Sequence, residues 1–186
     1  MLYNDTLEYE VTTDLSEEPV TLTELKQHLN MAFDTLGSYT FTDDDTYLNR
    51  LIKASRQFLE KYTGLSFGEK TITAFLDNNR GGIEIPFGPV RSITSIKDYY
   101  GEVIASDAYT LRGSKYKKIV SPSYDYMEVT YTAGLTVVPE DLKQAILCMC
   151  AALYKYRGDQ TEAESGKWWM MALELASPYK RTSFLA

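Results

Sequence analysis

From Glu69 to Thr132 the chain reads as short β-forming runs between turn signals, and on both sides of that block it reads as amphipathic helix. The order helix, helix, β-rich block, helix, helix argues for an α+β fold. The expectation is a helical core of about four helices, with a small antiparallel β-sheet or barrel inserted between helices two and three. In residue terms, 1–18 form an acidic N-terminal arm, 19–66 and 136–177 the helical core, 67–135 the β-rich insertion, and 178–186 a C-terminal tail.

The helical segments announce their own ends. Thr21-Leu22-Thr23-Glu24 fits a capping box, and Val20 with Leu25 fits the flanking hydrophobic staple; this helix is expected to run to about Met31. Thr42-Asp43-Asp44-Asp45 starts a second helix, with acids at the positive end of its dipole. Leu48, Leu51, Ile52, Ser55, Leu59 and Tyr62 then recur at helical spacing until Gly64, a left-handed cap. Pro139-Glu140-Asp141 opens the third helix. It carries two apolar stripes, one through Leu142, Ala145, Ile146 and Met149, the other through Leu147, Cys150, Ala151 and Tyr154. Such a helix is buried on several sides, either at the centre of its domain or between subunits. A fourth helix spans Glu162 to Ala176, and Pro178 stops it.

The strand expectations are Thr71–Leu76, Ile83–Pro86, Ser92–Tyr100, Tyr109–Arg112, Lys118–Val120 and Tyr126–Thr132, with Asp77-Asn78-Asn79-Arg80-Gly81-Gly82 as a turn. Near the N-terminus, Leu7-Glu8-Tyr9-Glu10-Val11 alternates apolar and acidic, the period of a half-buried strand. That strand pairs either within its own subunit or along a neighbour's edge.

Composition narrows the function classes. In 186 residues there are 26 acidic and 19 basic side chains, a net charge of −7. A field of that sign repels nucleic acid, so any contact with DNA is local or weak. The N-terminus lacks a secretory pattern, and the longest apolar run, Ala145–Tyr154, is too short to span a membrane; a cytoplasmic product is expected. Cys148 and Cys150, the only cysteines, point in different directions on a helix, so neither a local disulfide nor a metal clip is expected. The 15 tyrosines fit β-structure and also subunit interfaces.

No motif commits the chain to catalysis or to a cofactor. His28, the only histidine, sits mid-helix without a nucleophile signature nearby, and the sequence has no GxSxG, HExxH, P-loop or dinucleotide fingerprint. Asp43-Asp44-Asp45 suits helix capping better than a divalent cation, and Gly81-Gly82 a hairpin turn better than a phosphate cradle. The abundant acids leave open a carboxylate pair of the kind that hydrolyses glycosides. One basic cluster, Arg112-Gly113-Ser114-Lys115-Tyr116-Lys117-Lys118, is either a solvated hairpin loop or a DNA-proximal loop carrying Arg112, Lys115, Lys117 and Lys118.

Three stretches together resemble the head–tail connector (adaptor) family of tailed double-stranded DNA phages. The first is Glu18-Pro19-Val20-Thr21-Leu22-Thr23-Glu24-Leu25-Lys26-Gln27-His28-Leu29. The second runs from Asp44 through Leu51-Ile52-Lys53-Ala54-Ser55-Arg56 to Glu60-Lys61-Tyr62-Thr63-Gly64. The third joins Ile85-Pro86-Phe87-Gly88-Pro89-Val90-Arg91-Ser92-Ile93 to Val129-Thr130-Tyr131-Thr132-Ala133-Gly134, and continues from Pro139 to Arg157. The acidic arm before Glu18 is longer than the family pattern, and the β block exceeds that of its most compact members.

The resemblance implies a structural protein of the virion neck, assembled in the host cytoplasm. It implies a homo-oligomeric ring, usually of twelve copies, that docks on the portal protein and presents a platform to a stopper or tail-completion protein. Double-stranded DNA would pass through the central channel without sequence-specific binding; no membrane is involved. The basic and aromatic tail, with Tyr179, Lys180, Arg181, Phe184 and Leu185, is the candidate for portal docking, as a segment that orders on binding. Two other readings stand beside this one: a stopper or tail-completion protein of the same neck, and a small carboxylate-dependent hydrolase.

Overall fold

A computed structural model describes residues 8–31, 42–77, 83–114, 116–121, 126–155, 157 and 162–181. The chain divides into two compact units, one gathering 1–16 with 64–136 and the other 17–63 with 137–186.

The first unit is β-structure. Strands β1 (Glu8–Thr13), β2 (Lys70–Asp77), β7 (Tyr126–Ala133) and β4 (Val90–Lys97) form one antiparallel sheet in the order β1-β2-β7-β4. A second sheet runs β3-β6-β5, from Ile83–Glu84, Lys118–Val120 and Thr110–Arg112. The N-terminal strand thus pairs inside its own subunit, Glu10 opposite Thr73. Strict alternation along β7 turns Met127, Val129, Tyr131 and Ala133 into the core, where they meet Ile72, Ile96 and, from the second sheet, Ile119. Among the described residues the strands form two open sheets, not a closed barrel.

Strand β4 ends at Lys97, short of the expected Tyr100. Asp98 breaks it: Oδ1 accepts from the backbone N–H of both Tyr100 and Glu102 (2.9 Å each), and Gly101 follows at φ +82°. The two aromatic residues suit a strand by propensity, but this side-chain-to-backbone geometry holds them in a turn.

The second unit is helical, with α1 (Leu22–His28), α2 (Asp45–Thr63), α3 (Glu140–Lys155) and α4 (Glu162–Ala176), followed by a 3-10 turn at Ser177–Tyr179. The capping box is present in both directions, Glu24 N–H to Thr21 Oγ1 at 3.2 Å and Thr21 N–H to Glu24 Oε2 at 2.6 Å. Helix α1 stops at His28 rather than near Met31. Asn30 takes φ +53°, and the N–H groups of Asn30 and Met31 return to the carbonyls of Gln27 and Lys26, a Schellman closure with asparagine in the left-handed position. Gly64 ends α2 at φ +70° as expected.

Helix α3 packs against α1, α2 and α4; it buries the stripe through Leu142, Ala145, Ile146 and Met149, and of the other stripe Cys150 is buried while Leu147, Ala151 and Tyr154 are half-buried. It is the central helix of its unit. Burial pushes the Cys150 thiol up to about 12, and the thiol donates to Ser55 Oγ at 3.3 Å. Helix α2 buries a full charge at Arg56. That guanidinium meets Glu18 through Nε (2.7 Å) and Nη2 (3.1 Å), and buried Glu60 through Nη1 (2.9 Å). Lys26, also buried, lies 2.5 Å from Asp45 Oδ1.

Candidate interaction surfaces

The Asp43-Asp44-Asp45 run is used for fastening. Asp45 meets Lys26, while Asp44 accepts from the Tyr154 hydroxyl (2.7 Å) and from Arg157 Nη1 (2.8 Å). The Arg157 and Tyr154 hydrogen bonds hold the Asp44 carboxyl below its usual range. Arg157 also stacks on Tyr47, 4.9 Å from the ring centre. The backbone of Thr21 likewise lowers Glu24. Both shifts favour the carboxylate, the direction opposite to that of a general acid. Among the described residues no group of three or more His, Cys, Asp or Glu is arranged to hold a metal. His28 lies edge-on to Trp168 at 5.9 Å, and burial lowers its pKa.

The C-terminal candidates are seated against their own unit. The Tyr179 hydroxyl donates to Asp141 Oδ2 (3.2 Å), Lys180 Nζ stands 4.9 Å from the Tyr62 ring centre, and Arg181 N–H donates to the Thr63 carbonyl (3.0 Å). These three residues are ordered by intramolecular contacts. Phe184 and Leu185 lie outside the described residues.

The basic cluster falls on the β5–β6 hairpin. Arg112 sits directly opposite Lys118, and Lys118 is flanked on its other side by Glu84 of β3. Lys117 follows the loop, half-buried, and its carbonyl accepts from Ile85 N–H (2.9 Å). Lys115 lies outside the described residues. Gly113 takes φ +93°, and a Cβ there would stand 2.2 Å from the Tyr116 carbonyl oxygen, so the loop requires glycine.

Two exposed apolar surfaces were not anticipated from the sequence. Helix α4 buries Ala172 and Ala176 and leaves Met170 (59% exposed), Met171 and Trp168 facing outward; Trp169 packs edge-on with Phe58 at 4.9 Å. In the β unit, Tyr99 and Tyr100 are 76% and 85% exposed, beside exposed Val103. The composition signal was present in the 15 tyrosines, and the turn residues Asp98 and Gly101 that flank Tyr99 and Tyr100 were the local signal that the strand expectation passed over.

A family model for head completion proteins matches residues 30–167. This chain belongs to the head completion protein family. The kinship with phage head–tail proteins read from the three motifs is thereby borne out. Among solved structures, a chain of the virion of a native gene transfer agent particle is 18% identical, with a TM-score of 0.72 over 96% of this chain and 97% of that one. A chain in the neck of an empty gene transfer agent particle, computed with C6 symmetry, matches with the same identity and TM-score, over 96% of this chain and 98% of that one. A third, in the neck of the native particle computed with C12 symmetry, gives 0.70 at 18% identity over 96% of this chain and 98% of that one. This head completion protein shares their fold. No curated protein matches the chain.

Proposed function

We propose that this chain is a structural component of the neck of a phage or phage-like particle: a head–tail connector that closes into a ring, docks on the portal and surrounds the DNA exit channel. The family match over residues 30–167 carries this reading. The surface supports it, because each unit presents large apolar side chains to solvent, Met170 and Met171 on α4 and the Tyr99–Tyr100 turn in the β unit. Exposed methionine and tyrosine of this kind are typical of protein-binding surfaces. The carboxylates that are chemically perturbed, Asp44 and Glu24, serve structural hydrogen bonds.

Negative-stain imaging of the purified protein across a concentration series, with light-scattering mass alongside, tests the reading. Closed rings with a central hole are expected. A monomer at every concentration, alone and with the portal protein of the same particle, overturns it. Retention by a tail-side protein but not by the portal would instead favour a stopper. The end of the chain is the segment assigned to the portal, and removing residues 182–186, which spares the Tyr179, Lys180 and Arg181 contacts, should weaken portal retention.

A further inference from the structure

The turn after β4 is built before any partner arrives. Asp98 N–H donates to the Glu102 carbonyl (2.9 Å), Gly101 N–H to the Asp98 carbonyl (3.0 Å), and Ile104 N–H to the Ile96 carbonyl (2.8 Å). With the two bonds to Asp98 Oδ1, these hold a three-residue hairpin loop, Tyr99-Tyr100-Gly101. At its tip the Tyr99 ring stands edge-on to Tyr100 (5.5 Å) and to Tyr126 (5.8 Å). A tyrosine offers a large contact area with few rotatable bonds, and here most of its ordering is complete in the free subunit. The loop is acidic: Asp98 closes it and Glu102 is exposed, whereas Lys97 is already paired with Glu128 (2.9 Å). An acidic ledge faced with aromatic rings suits a cationic partner.

A matching surface lies on the same unit. Like charges directly opposite on neighbouring strands are destabilising, yet Arg112 faces Lys118. Among the described residues Glu84 flanks the Lys118 side, β5 is the edge strand of its sheet, and Arg112 is exposed. This row has a surplus of positive charge.

We propose that the Tyr99–Tyr100 turn of one subunit docks on the Arg112–Lys118 row of a second copy of the chain. The proposal rests on the ring reading and supplies it with a contact. Two different patches, each used once per subunit, make a head-to-tail interface, the kind that closes into a ring when the rotation allows. The tyrosines stack on the cations, and Glu102 faces the residual positive charge. The opposite charges also favour this partner over DNA for a chain whose net charge is −7.

Two double variants of the full chain test the contact, Tyr99→Ser/Tyr100→Ser and Arg112→Glu/Lys118→Glu, each checked for parental folding by circular dichroism. Each alone should self-associate more weakly than the parent by on the order of tenfold or more, as loss of a central interface anchor does. Mixed one to one, they retain a single productive tip–row pair, so light scattering should show heterodimers and no larger species. Rings from both variants at parental concentrations would overturn the tip contact while leaving the ring reading in place. Parental self-association that survives Arg112→Glu/Lys118→Glu, with loss only of salt-sensitive retention on duplex DNA, would assign the row to DNA and overturn the proposal. A parent that is monomeric at every concentration, alone and with the portal protein, overturns both.

Discussion

The hydroxyl of Tyr131 donates to the carbonyl oxygen of Pro86 at 2.6 Å inside the β unit, where Tyr131 has no exposed surface. The bond joins two segments of the third stretch that carries the family resemblance, Ile85–Ile93 and Val129–Gly134. Arg91 joins them a second time, donating to the carbonyls of Gly134 and Leu135 (2.9 Å each) and to the Glu69 carboxylate. Residues distant in sequence thus close one another's hydrogen bonds.

Replacing Tyr131 with phenylalanine keeps the packing and leaves the Pro86 carbonyl buried without that donor. The expected cost is about 1–3 kcal/mol, the penalty for an unsatisfied buried polar group. Urea unfolding monitored by circular dichroism should show a lower midpoint with an unchanged slope.

Gly134 takes φ +145°, and a Cβ there would lie 2.0 Å from the Gly68 carbonyl oxygen and 2.7 Å from the Glu69 nitrogen. These are backbone atoms that cannot swing aside, so Gly134→Ala should destabilise by roughly 3 kcal/mol or more, strain and clash combined. Gly166 of α4 is the control, with open space around its Cβ position. Gly166→Ala should raise stability by about 0.5–1 kcal/mol. Thermal melts of the pair with opposite shifts would confirm the assignment; a neutral Gly134→Ala would refute it.

Arg56→Met removes a cation that holds two carboxylates, Glu18 and the buried Glu60. The cost should be about 3–5 kcal/mol, as when one member of a buried ion pair is removed. Adding Glu60→Leu should recover a large part of it, since an apolar pair of similar volume needs no ion pairing. Denaturant midpoints of the single and double variants form the test; additive losses would show that the two charges do not act as a unit.

Asp44 gives the helical unit an acid-side dependence. Its pKa is lowered in the folded chain by the Arg157 and Tyr154 hydrogen bonds. A depressed carboxyl contributes stability that is fully present above its unfolded value of about 3.9 and is lost as pH falls through the folded value. Asp44→Asn should therefore destabilise at neutral pH, and the gap to the parent should close as pH drops below about 4. A gap that stays constant down to the acid transition would exclude the linkage.

The elements of this fold were legible wherever the signal is local. The Thr21–Glu24 box and the Gly64 cap act over three or four residues, and the alternation along β7 needs only the next side chain. The three motifs likewise sufficed for the family. What the sequence by itself left open were pairings between distant residues. Arg56 meets Glu18 from 38 positions away, Tyr154 meets Asp44 from 110, and the N-terminal strand finds β2 across α1 and α2. An arginine at a helical position reads as solvated until tertiary packing removes the water and supplies carboxylates in its place. Tyr99 and Tyr100 carry strand propensity, yet the neighbouring Asp98 turns the backbone there; that both rings stay exposed is a property of the completed surface. Local chemistry thus determined which elements form, and long-range closure of charges and hydrogen bonds decided which side chains are buried as fasteners and which are left to meet a partner.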